Sequence, residues 1–405
     1  MGSRTRLCFL ACLCVAAGGA AAWWHVRCSR PEYRLRLAQE AVRAGKYTAG
    51  EAEAAALEAD GYKDAALLLR GEALLLRGEA QDRREDIVAA LNTLNQIRGE
   101  GTVLVEAASV SGRCLLRLGN LLEAERAFSF VLSQSPDSID AHRGLLAVYY
   151  DLGAFTAAMQ HAEKWAELVS RDGRPHRFMG LMYKDMGSYR EAIAPYRAAL
   201  ERDLKAPVRE EVKIELADCL MRVQEYTEAR RELESCRPPE DALARVLTAR
   251  AECERALGDA EKAQKLVEEA IAANSAYTTA LRLRAQLALD AKEPARAVRD
   301  LERAAALSPN EFDTQHMLGR AYSQLGNETE ASAARQRVKE IQSCLDQLTK
   351  LTRETMERPK DAKLHRQLAD LYAQMGMPEM AAVRRRVADA LAESAPMHQA
   401  ILPSP

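Results

Sequence analysis

The side chains best able to attack a substrate or hold a metal in this chain are nine cysteines and seven histidines, and their spacing points away from both roles. A structural zinc site draws on clustered Cys or His ligands, often two of them a few residues apart. No two cysteines here form a Cys-x-x-Cys pair. Cys114, Cys219, Cys236, Cys253 and Cys344 stand singly in stretches of helical pattern, where a free thiol packs as a small hydrophobe. His176 and His316 lie near the starts of helical stretches with no nucleophile close in sequence, and no glycine-rich phosphate loop occurs. The expectation is therefore no catalytic, cofactor-binding or metal-ligating residue, and no enzyme. What remains is charge recognition: basic side chains and a tyrosine that could hold a carboxylate through charge-assisted hydrogen bonds.

Composition narrows the partner. Lys+Arg number 57 and Asp+Glu 59, a net charge of −2, without the clustered basic excess that marks a nucleic-acid surface. Aromatics make up 5% of the 405 residues. Ala, Leu, Glu and Arg dominate, a mixture of strong helix formers. The chain reads as all-α.

The first thirty residues stand apart. Arg4 and Arg6 precede an uncharged run of 18 residues, Leu7 to Trp24, and Arg27 and Arg30 follow. That run lies near the lower limit of about 17 residues for a helix that crosses a bilayer. Trp23 and Trp24 sit where interfacial aromatics belong. The expectation is an uncleaved N-terminal anchor helix. A cleaved signal peptide is the alternative, supported by the small group Ala20-Ala21-Ala22. Met1-Gly2 begins as a myristoylation site would, but Arg6 stands where Ser or Thr is wanted. Leu10-Ala11-Cys12 has the form of a lipoprotein cleavage site with too little apolar sequence before it. Basic residues flank both ends of the run, so charge leaves the orientation open.

From Pro31 a repeat takes over. Gly119, Gly153 and Gly187 are 34 residues apart, and Gly258, Lys292 and Gly326 keep the same step, with Gln224 between the two series. Gly187 to Gln224 takes 37 residues, which predicts three extra residues in a loop around Leu204 to Pro207. Five places after each turn comes alanine: Ala124, Ala158, Ala192, Ala229, Ala263, Ala297 and Ala331. Before the turns stand Gly112, Gly180, Ala217, Ala251, Ala285 and Gly319, with Leu146 as the exception. Small residues at both places let two helices of a hairpin approach closely, while Phe128, Tyr196, Leu233, Val267 and Leu301 fill the space to the next hairpin. Pro136 and Pro309 end second helices.

A 34-residue helix-turn-helix unit carrying Gly180, Tyr183, Ala192, Tyr196 and Ala199 in these places resembles the tetratricopeptide repeat. Glu254, Arg335 and Ala162 depart from the apolar residues usual at their positions. The resemblance implies a right-handed α-solenoid whose first helices line a concave surface where partner peptides or helices lie. On that surface it would place Arg113, Arg143, Tyr150, Arg174, Arg177 and Lys184, the candidate partner-binding residues, followed by Glu211, Asp218 and Glu252. Family members that clamp a chaperone's C-terminal carboxylate use paired Asn and Lys, which this chain lacks. A basic stretch with Tyr150 could instead hold an acidic peptide.

The expected organisation is an anchor or signal at 1–30, degenerate hairpins at 31–103 and seven repeats at 104–345. An extended helix and a capping hairpin follow at 346–393, and a disordered tail at 394–405. Ala38, Ala41 and Gly45 open the first degenerate hairpin, and Gly71, Leu74 and Gly78 the second, whose other helix carries Ile87, Leu91 and Leu94. Val338, Ile341, Leu345, Leu348 and Leu351 lengthen the seventh repeat, and Ala369, Tyr372, Gly376 and Ala381 restate the hairpin. The functional expectation is a non-enzymatic protein-interaction scaffold, anchored by its N-terminal helix in a membrane of the bacterial cell envelope and serving envelope assembly. Secretion or a periplasmic place after signal cleavage is the alternative location, and an accessory or regulatory subunit of an enzyme complex the alternative role.

Overall fold

The computed structural model describes residues 31–392. The expected anchor or signal at 1–30 and the tail at 394–405 lie outside these residues. Within them there are twenty α-helices, and the single bridge of β type joins Asp172 to Asp203. No described helix is long and apolar enough to cross a membrane.

The chain divides into two compact units at Leu145 and Leu146. The first contains α1 (Pro31–Arg43) paired with α2 (Tyr47–Ala59), α3 (Lys63–Gln81) with α4 (Arg84–Leu94), and α5 (Thr102–Leu118) with α6 (Leu121–Gln134). Residues 139–145 of α7 (Ile139–Leu152) complete it. The second takes the rest of α7 with α8 (Phe155–Leu168), then α9 (Arg174–Asp185) with α10 (Tyr189–Leu200), and α11 (Ala206–Arg222) with α12 (Tyr226–Ser235). It continues through α13 (Leu243–Ala256) with α14 (Ala260–Ala273) and α15 (Thr278–Asp290) with α16 (Pro294–Leu307). It ends with α17 (Phe312–Gln324), α18 (Glu328–Glu357), α19 (Ala362–Gln374) and α20 (Pro378–Ala392). Odd-numbered helices are the first of each hairpin.

One turn recurs. After the first helix a residue in the left-handed region reverses the chain, and the next residue's N–H donates to a carbonyl five places back, as from Ser188 to Tyr183 at 2.8 Å and from Asn327 to Tyr322 at 3.0 Å. Such a bond satisfies a carbonyl that has no partner within the helix. Gly187 and Gly326 adopt φ of 76° and 77° at this point, and Gln224 and Lys292 are held at 66° and 61° without being glycine.

The alanine register is the packing contact the spacing predicted. Ala124, Ala158, Ala192, Ala229, Ala263, Ala297 and Ala331 are all at 0% exposure. Across each hairpin, volume is shared between residues sixteen apart. A Cβ on Gly112 would stand 2.8 Å from Phe128, and one on Gly180 would stand 2.8 Å from Tyr196. The repeat between these two reverses the sizes, with Leu146 and Ala162 both fully buried. That exchange explains why these two positions depart from the pattern together. Glu254 is buried too, and its carboxylate is held by Arg230 at 3.4 Å and by Lys262. Arg335 stays exposed and pairs with Glu328.

Two expectations are corrected. Gly78 is not a turn residue: α3 continues to Gln81, and the left-handed position is Asp82, with φ of 51°. Gly78 is glycine because a Cβ there would meet Ile87 at 2.9 Å and the Arg83 carbonyl at 3.0 Å. The extra residues near Leu204 do not lengthen a loop either. They extend the N-terminus of α11, which starts at Ala206 and accepts Pro207 in its first turn, where a missing N–H costs no helical bond. The lengthened seventh repeat is observed as α18, with Ile341 buried and Val338, Leu345, Leu348 and Leu351 half-buried. The terminal hairpin turns at Gly376 and buries Ala369 and Ala381.

Candidate functional site

In the second unit the first helices α9, α11, α13, α15 and α17 lie in sequence and share one groove. It encloses about 670 Å³ and is lined by side chains including Lys184, Asp218, Arg245, Glu252, Tyr277 and Arg282. A second cleft of about 290 Å³ shares Glu252, Thr279, Arg282 and Asp313 with it and extends to His316 and Arg320. Residues from five successive repeats therefore face one space.

Arg177 and Lys184 meet acids one repeat later, and Arg245 meets one a repeat earlier. Arg177 contacts Glu211 at 2.7 Å and Glu215 at 2.9 and 3.1 Å. Burial works against the charge of Arg177, but the two carboxylates outweigh it and its pKa rises. Lys184 lies 3.5 Å from Asp218, which also receives Arg245. Tyr150 donates its hydroxyl to Asp185, and burial first, then this carboxylate, pushes its phenol upward. Arg174 is turned the other way, onto Asp172 at 2.6 Å and over the Trp165 ring at 5.2 Å. Of the four expected site residues in this unit, Lys184 lines the groove, Tyr150 holds Asp185, which also lines it, Arg177 pairs with Glu211 and Glu215 on α11, and Arg174 braces the connection before α9.

The other two candidates belong to the first unit. Arg113 and Arg117 share Glu79, at 2.8 and 3.0 Å, and Arg143 contacts Asp140 at 3.2 Å. The change of sign along the sequence, from Lys184 to Glu211 and Asp218, is thus a ladder of matched pairs. Arg245, Tyr277, Arg282 and Asp313 also line the groove, and spacing alone did not single them out. The repeat register held a signal for some of them, since Arg245, Thr279 and Asp313 follow Glu211 at steps of 34.

Two cations in this space have no ion pair among the described contacts. Arg222 lies over the Tyr189 ring at 5.6 Å, and Arg320 is exposed at the far end of the joined cleft. His316 stacks on Phe312 with centroids 6.1 Å apart. The groove offers hydrogen bonds and charge along its length, the recognition chemistry of an extended polar segment.

The thiols offer little nucleophilic chemistry. Burial pushes Cys114 and Cys253 up to about 12 and Cys219 up to about 11, so each stays protonated near neutral pH. Among the described residues, no group of three or more His, Cys, Asp or Glu could hold a metal ion.

Similar solved structures include a tetratricopeptide repeat protein from Parabacteroides merdae, 18% identical over 62% of this chain and 98% of that one, with a TM-score of 0.43. Another is YrrB, described as a TPR protein with an unusual peptide-binding site, 14% identical over 47% and 96%, with a TM-score of 0.40. A third is human IFIT1, solved as a dimer with PPP-AAAA, 16% identical over 90% and 94%, with a TM-score of 0.39. A comparison with curated proteins returns no match. Sequence profiles described as tetratricopeptide repeat match residues 111–173, 179–236 and 248–312, and a further one matches 312–343. These matches span more than half of the chain and coincide with the hairpins, turns and buried alanines described above, and the chain belongs to the tetratricopeptide repeat family.

Proposed function

We propose that the protein is a non-enzymatic scaffold that holds a segment of a partner protein in the groove of its second unit. Tetratricopeptide repeat proteins are protein-interaction scaffolds, and one observation supports this assignment here: five successive first helices contribute side chains to one continuous polar groove. A preformed surface lowers the ordering cost of binding, since the helices are fixed by packing before a partner arrives. The ladder pairs lie at or near the surface, where an ion pair contributes about 0–1 kcal/mol. A partner carboxylate can therefore replace Asp218 on Lys184 or Arg245 at little cost. Arg222 and Arg320, with no acid to displace, are the first anchors.

Charge reversal at those two positions tests the assignment. Arg222→Glu with Arg320→Glu should abolish co-purification of a stoichiometric partner while leaving the melting temperature unchanged. Undiminished recovery of the partner would contradict it. Residence at a membrane rests on the run Leu7–Trp24. Retention in the pellet after alkaline extraction of membranes supports an anchor, and full release refutes it.

A further inference from the structure

The second unit contains a contact that spans 233 residues. At the end of α7 the recurring turn uses two carbonyls: Ala154 N–H donates to Tyr149 at 2.8 Å and Gly153 N–H to Tyr150 at 2.9 Å. The next carbonyl, that of Asp151, is among the last of the helix and has no acceptor role within it. Arg384, on α20 and 233 residues later, donates to it from Nη1 at 3.0 Å. The cation also sits favourably at the negative end of the helix dipole. The same Nη1 lies 3.9 Å from where a Cβ on Gly153 would stand. The carboxyl of Asp151 is desolvated, and Arg384 and Arg386 are the charges that face it.

The far side of the terminal hairpin is fixed as well. Asn310, in the connection between α16 and α17, donates from Nδ2 to the Gln374 carbonyl at 3.2 Å. The α19–α20 hairpin thus reaches from that connection to the turn between α7 and α8. That turn borders the groove, because Tyr150 precedes Asp151 and donates to Asp185, one of the lining residues.

We propose that the α19–α20 hairpin is a latch: the Arg384–Asp151 contact closes the second unit on itself beside the groove, and its release admits a partner segment. This rests on the groove being the binding surface. The hydrogen bond reaches a backbone oxygen, and Nε of Arg384 is buried without a partner. The guanidinium is thus incompletely satisfied and the closed state is held by few bonds. Such a contact can open while every hairpin stays folded, because each repeat is held by its immediate neighbours.

Hydrogen exchange of the full chain, without partner, tests the latch separately from the groove. Arg384→Gln removes the charge at nearly constant helix propensity. It should speed exchange several-fold in peptides covering 149–156 and 378–388 while the rest of the second unit is unchanged. Arg385→Gln, one place on in the same helix, should change neither peptide. Equal exchange in wild type and Arg384→Gln would overturn the proposal. So would the same acceleration in Arg385→Gln, or an acceleration spread evenly over the unit, since either would report a weakened helix. A positive exchange result with no partner contact in the groove would establish the Arg384–Asp151 closure but refute the groove, and with it the closure's part in admitting a partner segment.

Discussion

The ring of Tyr196 lies against the backbone of Gly180, so close that a Cβ on the glycine would stand 2.8 Å from Cδ1 and Cε1 of the ring. Tyr196 is fully buried, and its hydroxyl has no hydrogen-bond partner. Packing alone keeps a phenol there. Gly180→Ala should therefore destabilise the protein by about 1–3 kcal/mol through overpacking. At Gly319, the equivalent place in the penultimate hairpin, the nearest atom to an added Cβ is Arg335 Cγ at 3.6 Å. Gly319→Ala should instead stabilise by about 0.4–1 kcal/mol, by reducing the freedom of the unfolded chain. Urea unfolding of the two variants checks the contrast.

Two turns of the second unit hold a side chain where glycine would rest more easily. Gln224 and Lys292 occupy the left-handed region at φ of 66° and 61° and are exposed. A residue with a Cβ gives up about 1–2 kcal/mol in that conformation. Gln224→Gly and Lys292→Gly should each raise the unfolding midpoint, and their effects should add because the turns lie in different hairpins. A lower midpoint in either would show that the side chain makes a contact worth more than the strain.

A buried histidine makes the terminal hairpin sensitive to acid. His365 is fully buried, with Nε2 2.8 Å from the Pro359 carbonyl. A carbonyl can only accept, so Nε2 carries the proton, and Nδ1 has no partner. Burial holds the imidazole below its ordinary pKa, with Arg384 acting in the same direction and the Pro359 bond and Asp361 opposing. The unfolded chain thus takes up the proton first. The stability His365 contributes is complete above the unfolded value of about 6.5 and is lost as pH falls toward the lower folded value. Gln315 makes the same bond to Pro309 at 3.1 Å, so His365→Gln should keep the contact and remove that part of the acid sensitivity. Thermal melts of both proteins at pH 7.5 and pH 5 measure the difference.

Much of this architecture was legible in the chain because one residue type answers one geometric need. Alanine five places after every turn is dictated by helix approach, and all seven positions are sealed. Where two needs call for the same residue, spacing misleads. Gly78 serves close packing yet falls on the turn period, while Asp82 makes the turn. The site was legible in composition but not in state. Arg113, Arg177 and Lys184 were identifiable, but their neutralising partners Glu79, Glu211 and Asp218 are each 34 residues away. They appear only once the repeat period is applied to charges as well as to apolar residues. The Arg384–Asp151 contact had no signal, because no local period fixes where the ends of an array meet.

The most direct test of the central claim is site-specific photo-crosslinking of the full chain in its native cells. A photoreactive residue at Thr279, which lines both clefts, should capture one discrete partner protein. The same residue at Arg299, exposed on the second helix α16, should capture none. Loss of the Thr279 product in the Arg222→Glu, Arg320→Glu background would complete the case. Absence of any product at Thr279, or equal capture at both positions, would contradict a scaffold that works through this groove.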